Sequence, residues 1–211
     1  FYGGEPTLNL ELMSAVMRRH PEYRFQLQTN GTLLDDLPDW ILAQLSNVLV
    51  SIDGGEKVTD GYRGRGIYRQ VVKNVRAIRS RLGGTLTARV TWSSADTSFE
   101  ELDELTHYFD YVYFQFVAQD GAYAPDTIAA KRAVLTKMVD KFFSADALYP
   151  FIPIMGTVRN KLLPSRAQEL YGGLTQCRAS THLLHVMPDG QIYPCPDLLS
   201  RPELLTGAWC E

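Results

Sequence analysis

The chain has 211 residues, a formal net charge of −3 and 21% charged residues. That length suits one domain with a substantial core, or about one and a half domains. No cluster of Lys and Arg predicts a nucleic-acid surface, and no apolar stretch approaches the roughly 20 residues that a membrane-spanning helix needs. We therefore expect a cytoplasmic protein whose partners are neither nucleic acids nor membranes.

Short apolar runs alternate with helical patterns from residue 1 to about 118, which is typical of consecutive βα units and a parallel sheet. The predicted strands are a stub at 1–2 and the segments 25–29, 48–53, 85–92 and 111–118. The predicted helices lie near residues 9–20, 37–46, 71–82 and 99–109. Right-handed crossovers would wind such units into a barrel or part of one. Since a two-residue strand is too short to stand alone and the first residue is not methionine, we expect a further piece of the fold upstream.

The pattern changes after the last of these strands. A helix is predicted near residues 128–144, followed by an irregular stretch that reads as a linker with one more short element. The residues that punctuate this stretch are Pro150, Pro153, Gly156 and Pro164. Further on, Asp189-Gly190 lies between two apolar runs and predicts a β-hairpin.

The segment Gly3-Gly4-Glu5-Pro6 joins the strand stub to the first helix. Glycine adopts backbone angles closed to other residues and lets a ligand approach closely. Glu5 presents a carboxylate where the strand ends, which would suit an ammonium group. The alternative is an ordinary strand-to-helix turn with a solvated glutamate.

Each predicted strand has one apolar and one polar face, because alternate residues of a strand point to opposite sides. Strands buried on both faces should instead read as continuous apolar runs. If the apolar faces pack against helices, the polar faces line the interior and need hydrogen-bond partners, which a bound polar ligand could supply. The alternative is an open sheet whose polar face meets water. The polar positions are Gln28, Ser51, Asp53, Arg89, Thr91 and Gln115.

Three cysteines, Cys177, Cys195 and Cys210, lie in the last fifth of the chain. An odd count without a secretory context argues against a disulfide framework and leaves metal ligation open. The alternative is that they are unrelated buried or free thiols.

Three segments in this order resemble motifs of the radical S-adenosylmethionine (SAM) superfamily, in its branch with a C-terminal SPASM or twitch extension. Gly3-Gly4-Glu5-Pro6 is similar to the motif that binds the SAM amino group, and the segment 28–34 is similar to the family's third strand and loop. Ser51-Ile52-Asp53-Gly54 resembles the fourth-strand segment of peptide- and protein-modifying members. Further matching residues are Asp60, Tyr62-Arg63-Gly64 and Tyr68.

The resemblance implies an α/β fold, a partial (β/α)6 TIM-type barrel of parallel strands that holds SAM against a 4Fe-4S cluster. Glu5 with the Gly3-Gly4 backbone would receive the SAM amino group, and Arg89 would pair with its carboxylate. Ser51 and Asp53 would contact the ribose. The residues that the resemblance assigns to the cofactor are Gly3, Gly4, Glu5, Asn30, Ser51, Asp53 and Arg89.

The C-terminal cysteines also resemble a family pattern. Cys177, Gly190 and Cys195 are spaced like the opening of a SPASM or twitch region, in which thiolates bind auxiliary iron–sulfur clusters. The resemblance thus implies that Cys177, Cys195 and Cys210 are metal ligands. It divides the chain into a partial barrel over 1–145 and, over 146–211, a linker and the start of an auxiliary-cluster region with its β-hairpin.

The family's defining Cys-x3-Cys-x2-Cys motif does not occur in this sequence. We therefore expect this chain by itself to be inactive, with the first strand and the cluster loop outside it, and we assign no catalytic residue. The resemblance implies that the full-length protein is an oxidoreductase that reductively cleaves SAM to a 5′-deoxyadenosyl radical and modifies a peptide or protein side chain. Its partners would be that substrate and a reductant such as flavodoxin or ferredoxin.

Two alternatives belong to other functional classes. One is a catalytically degenerate barrel that serves as a SAM- or peptide-binding module. The other is an ordinary barrel enzyme that uses Glu5 and Asp53 as a pair of carboxylates for acid–base chemistry.

Overall fold

The structure is a computed structural model that describes residues 1–93, 97–117, 122–163, 184–195 and 202–208. The chain divides into two compact units, Phe1–Gly156 and Thr157–Glu211.

A four-stranded parallel sheet forms the centre of the first unit, with its strands in the order β1-β2-β3-β4. The strands are β1 (Phe25–Thr29), β2 (Leu45–Ser51), β3 (Thr85–Trp92) and β4 (Tyr111–Phe116). The predicted parallel α/β arrangement is therefore confirmed. The bounds of β1 and β3 match the prediction, whereas β2 begins at Leu45 and ends at Ser51 rather than spanning 48–53.

Each edge of this sheet is extended by a single residue. Phe1 donates its terminal amino group to the Gln26 carbonyl at 2.6 Å and accepts a hydrogen bond from the Gln28 amide at 3.0 Å. This alternation between residues 26 and 28 is the parallel ladder pattern, so the predicted stub pairs with β1 at Phe1. At the opposite edge, Val112 of β4 forms a parallel bridge with Phe151.

Helices alternate with these strands and continue after β4. They are α1 (Leu10–Arg19), α2 (Asp39–Gln44), α3 (Glu56–Arg63), α4 (Ile67–Ile78), α5 (Phe99–Glu104), α6 (Pro125–Ser144) and α7 (Ile152–Leu162). The stretch predicted to be an irregular linker with one short element is largely helical between Pro150 and Pro164, because α7 spans 11 residues there; α7 tolerates Pro153 because that residue lies in its first turn. Among the helices of the described residues, none is long and apolar enough to cross a membrane.

The apolar faces of the strands form the core, as predicted. On β3, Leu86, Ala88, Val90 and Trp92 are at most 1% exposed. Near the start of the strands, side chains on the polar face form hydrogen bonds with each other. There, the side-chain oxygen of Asn47 accepts hydrogen bonds from the hydroxyl groups of Thr85 and Thr87, at 3.1 and 3.0 Å.

The loop after β1 is held by a buried asparagine. Asn74 lies within the apolar stripe of α4 and is 6% exposed. Its side-chain amide donates to the carbonyl groups of Gly31 and Thr32, at 3.0 and 2.8 Å. Gly31 has a φ of +81°, and a Cβ atom at this position would lie 2.7 Å from Cγ1 of Val50. The loop passes so close to β2 that only glycine fits at this position.

The second unit contains a three-stranded antiparallel sheet formed by β5 (His185–Val186), β6 (Gln191–Tyr193) and β7 (Gly207–Ala208). The predicted hairpin is confirmed as β5 and β6. Its turn contains Asp189, whose carboxylate accepts a hydrogen bond from the Gln191 amide at 3.0 Å, and Gly190 with a φ of +82°. The strand β7 pairs with β6 and was not predicted.

We predict that Gly31→Ala destabilises the protein by about 2–4 kcal/mol, since an L-residue is strained at this φ and the new methyl group would overpack the core at Val50. The matched control is Gly61→Ala in α3, where a Cβ atom meets nothing within 4 Å. The control should be neutral or slightly stabilising because alanine favours helix. Urea unfolding of both variants measures the difference, and equal effects would contradict the account of the loop.

Candidate functional site

A cavity of about 200 Å³ opens at the carboxyl edge of the parallel sheet. Its lining residues come from the turn before α1, from the ends of β1 and β2, and from the last residue of α3. They are Tyr2, Gly3, Gly4, Gln28, Thr29, Asn30, Ser51 and Arg63. Ligands of open α/β sheets bind at this edge, because the carboxyl ends of parallel strands and their loops meet there.

Four of the predicted cofactor-binding residues line this cavity, namely Gly3, Gly4, Asn30 and Ser51. They come from all three segments that carry the family resemblance. The remaining three, Glu5, Asp53 and Arg89, lie close to it in structure but are not lining residues, and each has a distinct environment.

The carboxylate of Glu5 ties the Gly3-Gly4 turn to the end of β1. Its Oε1 accepts hydrogen bonds from the Thr29 hydroxyl at 2.8 Å and from the hydroxyl and amide groups of Thr7 at 2.6 and 3.1 Å. Its Oε2 accepts a hydrogen bond from the Asn30 amide at 2.7 Å. Four donors of the chain itself thus engage this carboxylate, so the Glu5 side chain links the turn to the end of β1 without lining the cavity.

The carboxylate of Asp53 forms an ion pair with Arg63. The Arg63 Nε lies 2.6 Å from Oδ2 and its Nη2 lies 3.0 Å from Oδ1, which is bidentate geometry. Asp53 also accepts a hydrogen bond from the Thr91 amide at 3.3 Å. Its side chain is 4% exposed, against 25% for Arg63. Asp53 therefore reaches the cavity only through Arg63.

The turn after α3 fixes the position of Arg63 at the end of that helix. The Asp60 carboxylate accepts hydrogen bonds from the amide groups of Tyr68 at 2.9 Å and Gly66 at 2.6 Å. These two hydrogen bonds hold the pKa of Asp60 below its usual value. The residues of this segment that match the family thus lock α3 against the start of α4.

Arg89 lies on β3 in register with Ser51 of β2, so the two side chains share the polar face of the sheet. It is half-buried, and its guanidinium group makes no ion pair or hydrogen bond with another residue that the structure describes. A half-buried cation that has no partner among the described residues is available to an anionic group of a ligand.

Sequence reasoning assigned no site role to Tyr2, Thr29 or Arg63. Thr29 lies on the same face of β1 as the apolar residues and is 2% exposed, yet it reaches the cavity because β1 ends there. The available signal for Arg63 was its place in the Tyr62-Arg63-Gly64 segment that carries the resemblance, but its pairing with Asp53 depends on α3, a short helix that was not predicted.

Cys195 lies just after β6, is half-buried and carries a free thiol. Cys177 and Cys210 fall outside the described residues. Within the described ranges, no group of three His, Cys, Asp or Glu side chains is placed to hold a metal ion. The assignment of the three cysteines as ligands stays a prediction.

The comparisons with known proteins assign no family. No protein-family model and no curated protein matches this sequence. The resemblance to radical SAM enzymes therefore rests on the sequence motifs alone.

We predict that Glu5→Gln destabilises the protein by about 2 kcal/mol, because the variant loses charge-assisted hydrogen bonds and sets an amide NH2 group against other donors. The control is Glu11→Gln on the exposed face of α1, for which the loss should be under about 1 kcal/mol. Urea unfolding measures both changes. A Glu5 variant as stable as the control would show that the carboxylate does not anchor the turn.

The lowered pKa of Asp60 predicts a contribution to stability that is lost in acid. Since the folded protein resists protonation of this group, the unfolded chain takes up the proton first as the pH falls below the ordinary value of 3.8. Asp60→Asn should therefore lose stability at pH 7 and show a shallower further loss between about pH 4 and pH 2 than the wild type. Chemical unfolding at several pH values tests this, and a loss as steep as that of the wild type between these pH values would contradict it.

Proposed function

We propose that this chain forms the SAM-binding part of a radical SAM enzyme of the SPASM or twitch branch, whose substrate is a peptide or protein side chain. The main support is the cavity itself. It collects Gly3, Gly4, Asn30 and Ser51 from three separate sequence motifs at one edge of a parallel sheet.

The groups around the cavity suit the chemical parts of SAM. The carbonyl groups of Gly3 and Gly4 accept no hydrogen bond from another described residue, so they are available to an ammonium group. Ser51 offers a hydroxyl to a ribose, and Arg89 offers a positive charge to a carboxylate. The volume of about 200 Å³ is below the range of roughly 300–1,000 Å³ for whole ligand sites, so the cavity would enclose part of SAM.

The edges of the sheet support the proposed partial (β/α)6 barrel. The central strands number four, and Phe1 and Phe151 each add one parallel position at opposite edges. With the first strand that the resemblance places outside this chain, the Phe1 stub and the four central strands would make up the six strands of a half-open barrel, and Phe151 would lie beyond its sixth strand. The interior of such a barrel would carry the polar face that includes Ser51 and Arg89.

When bound beside a reduced 4Fe-4S cluster, SAM would supply the radical chemistry for removing a hydrogen atom from the substrate. This sequence contains no Cys-x3-Cys-x2-Cys motif for that cluster, so the contribution of these residues is to bind SAM, orient it and exclude water. Cys177, Cys195 and Cys210 would serve an auxiliary iron–sulfur cluster. The peptide or protein substrate and a flavodoxin or ferredoxin reductant belong to the same proposal.

The geometry does not favour acid–base catalysis by Glu5 and Asp53. Both carboxylates are engaged by donors of the chain, through Thr7, Thr29 and Asn30 for Glu5 and through Arg63 for Asp53. A binding module without catalysis shares the same cavity. Iron and sulfide analysis of the anaerobically reconstituted natural protein separates the two, since the radical enzyme needs a cluster and the module does not.

We predict that the chain binds SAM and that Arg89→Gln weakens this binding about tenfold or more, because a hydrogen bond to a charged group contributes roughly 1.5–3 kcal/mol. The control is Arg132→Gln on the exposed face of α6, which should bind as the wild type does. Isothermal titration calorimetry measures all three proteins. Absence of binding by the wild type, or equal affinities for the two variants, would contradict the proposal.

A further inference from the structure

Arg63 holds a special position in the cavity. Among the described residues that line the cavity, it alone carries a charge. Asp53 binds the Nε and Nη2 side of its guanidinium group and thereby fixes the plane of that group. The Nη1 amino group makes no hydrogen bond within the described part of the chain. Arg63 therefore presents an oriented, unused donor at the cavity.

The two arginines near the cavity differ in whether a neighbouring carboxylate compensates their charge. Arg63 is neutralised by Asp53 at 2.6 Å, so the pair as a whole has no net charge. Arg89 has no ion-pair partner among the described residues. An anionic group is attracted by the uncompensated charge of Arg89, whereas a neutral acceptor oxygen gains a hydrogen bond from Arg63 without needing a counter-charge.

We propose that Arg63 donates a hydrogen bond to a neutral ribose oxygen of a bound nucleoside, and that Asp53 acts as a positioning residue for Arg63. This inference rests on the proposed function and changes which residue contacts the ribose. The Asp53 side chain is 4% exposed and its oxygens accept hydrogen bonds from Arg63 and Thr91, so the ribose contact expected of the aspartate passes to the arginine, which lines the cavity. Ser51 lines the same cavity and shares the ribose with it.

Two probes separate the ribose contact from the carboxylate contact. SAM has both groups, whereas 5′-methylthioadenosine has the ribose and adenine but neither carboxylate nor ammonium. Arg63→Gln should weaken both probes about tenfold or more in calorimetry. Arg89→Gln should weaken SAM only. The matched control is Arg65→Gln, an exposed arginine two residues further on, which should leave both affinities unchanged.

A double-variant cycle tests the positioning role of Asp53. Asp53→Asn should weaken 5′-methylthioadenosine binding in the wild-type background and add little in the Arg63→Gln background, because the aspartate acts through the arginine. Losses that add fully in the double variant would show that Asp53 acts independently of Arg63. Arg63→Lys keeps the charge beside Asp53 but lacks the planar fork, so it should fold and still bind this probe more weakly than the wild type.

The outcomes distinguish this inference from the proposed function. If the wild type binds SAM and both Arg63 variants bind 5′-methylthioadenosine as tightly as the wild type, the role of Arg63 is wrong and the SAM site stands. If the wild type binds neither probe, the proposed function is wrong and the inference fails with it.

Discussion

The hydrogen bonds to the Glu5 carboxylate hold the candidate site together. They join the turn before α1 to Thr29 and Asn30 at the end of β1, across 24 and 25 residues of sequence. Because one oxygen accepts three donors and the other accepts one, the turn is tied to the sheet in a single orientation. Together with the pairing of Phe1 with β1, this anchor fixes Gly3 and Gly4 at the cavity that they line.

The polar face of the sheet has two parts: one in which side chains hydrogen-bond with each other, and one in which polar groups lie beside the cavity. Near the start of the strands, Asn47 accepts hydrogen bonds from Thr85 and Thr87, so these groups need no ligand. At the carboxyl edge, the cavity lies beside Ser51, and Arg89 is without an ion-pair partner in the described residues. Buried carboxylates serve as supports here, since Asp53 sets the orientation of Arg63. This distribution of charge leaves hydrogen-bond donors and a positive group at the carboxyl edge of the sheet.

Periodicity was enough to predict the sheet, but it could not supply the partners of the site residues. The alternation of apolar and polar residues gave β1 and β3 their bounds, and Asp189-Gly190 gave the hairpin its turn. Helix α3 was missed because its buried side chains are only Val58 and Thr59, too few for a helical stripe. The carboxylates of Glu5 and Asp53 could be placed at strand ends from sequence. Their engagement by Thr29, Asn30 and Arg63 depends on tertiary contacts that no local pattern encodes.

The central claim is that the carboxyl edge formed by the Gly3-Gly4 turn, β1 and β2 is a SAM site. The most direct measurement is a titration of the isotopically labelled chain with SAM, followed through its backbone amide NMR signals. The account predicts that the signals of Gly3, Gly4, Asn30 and Ser51 shift, while those of Gly190 and Ile192 in the hairpin stay in place. Shifts confined to the hairpin, or none at saturating SAM, would contradict it.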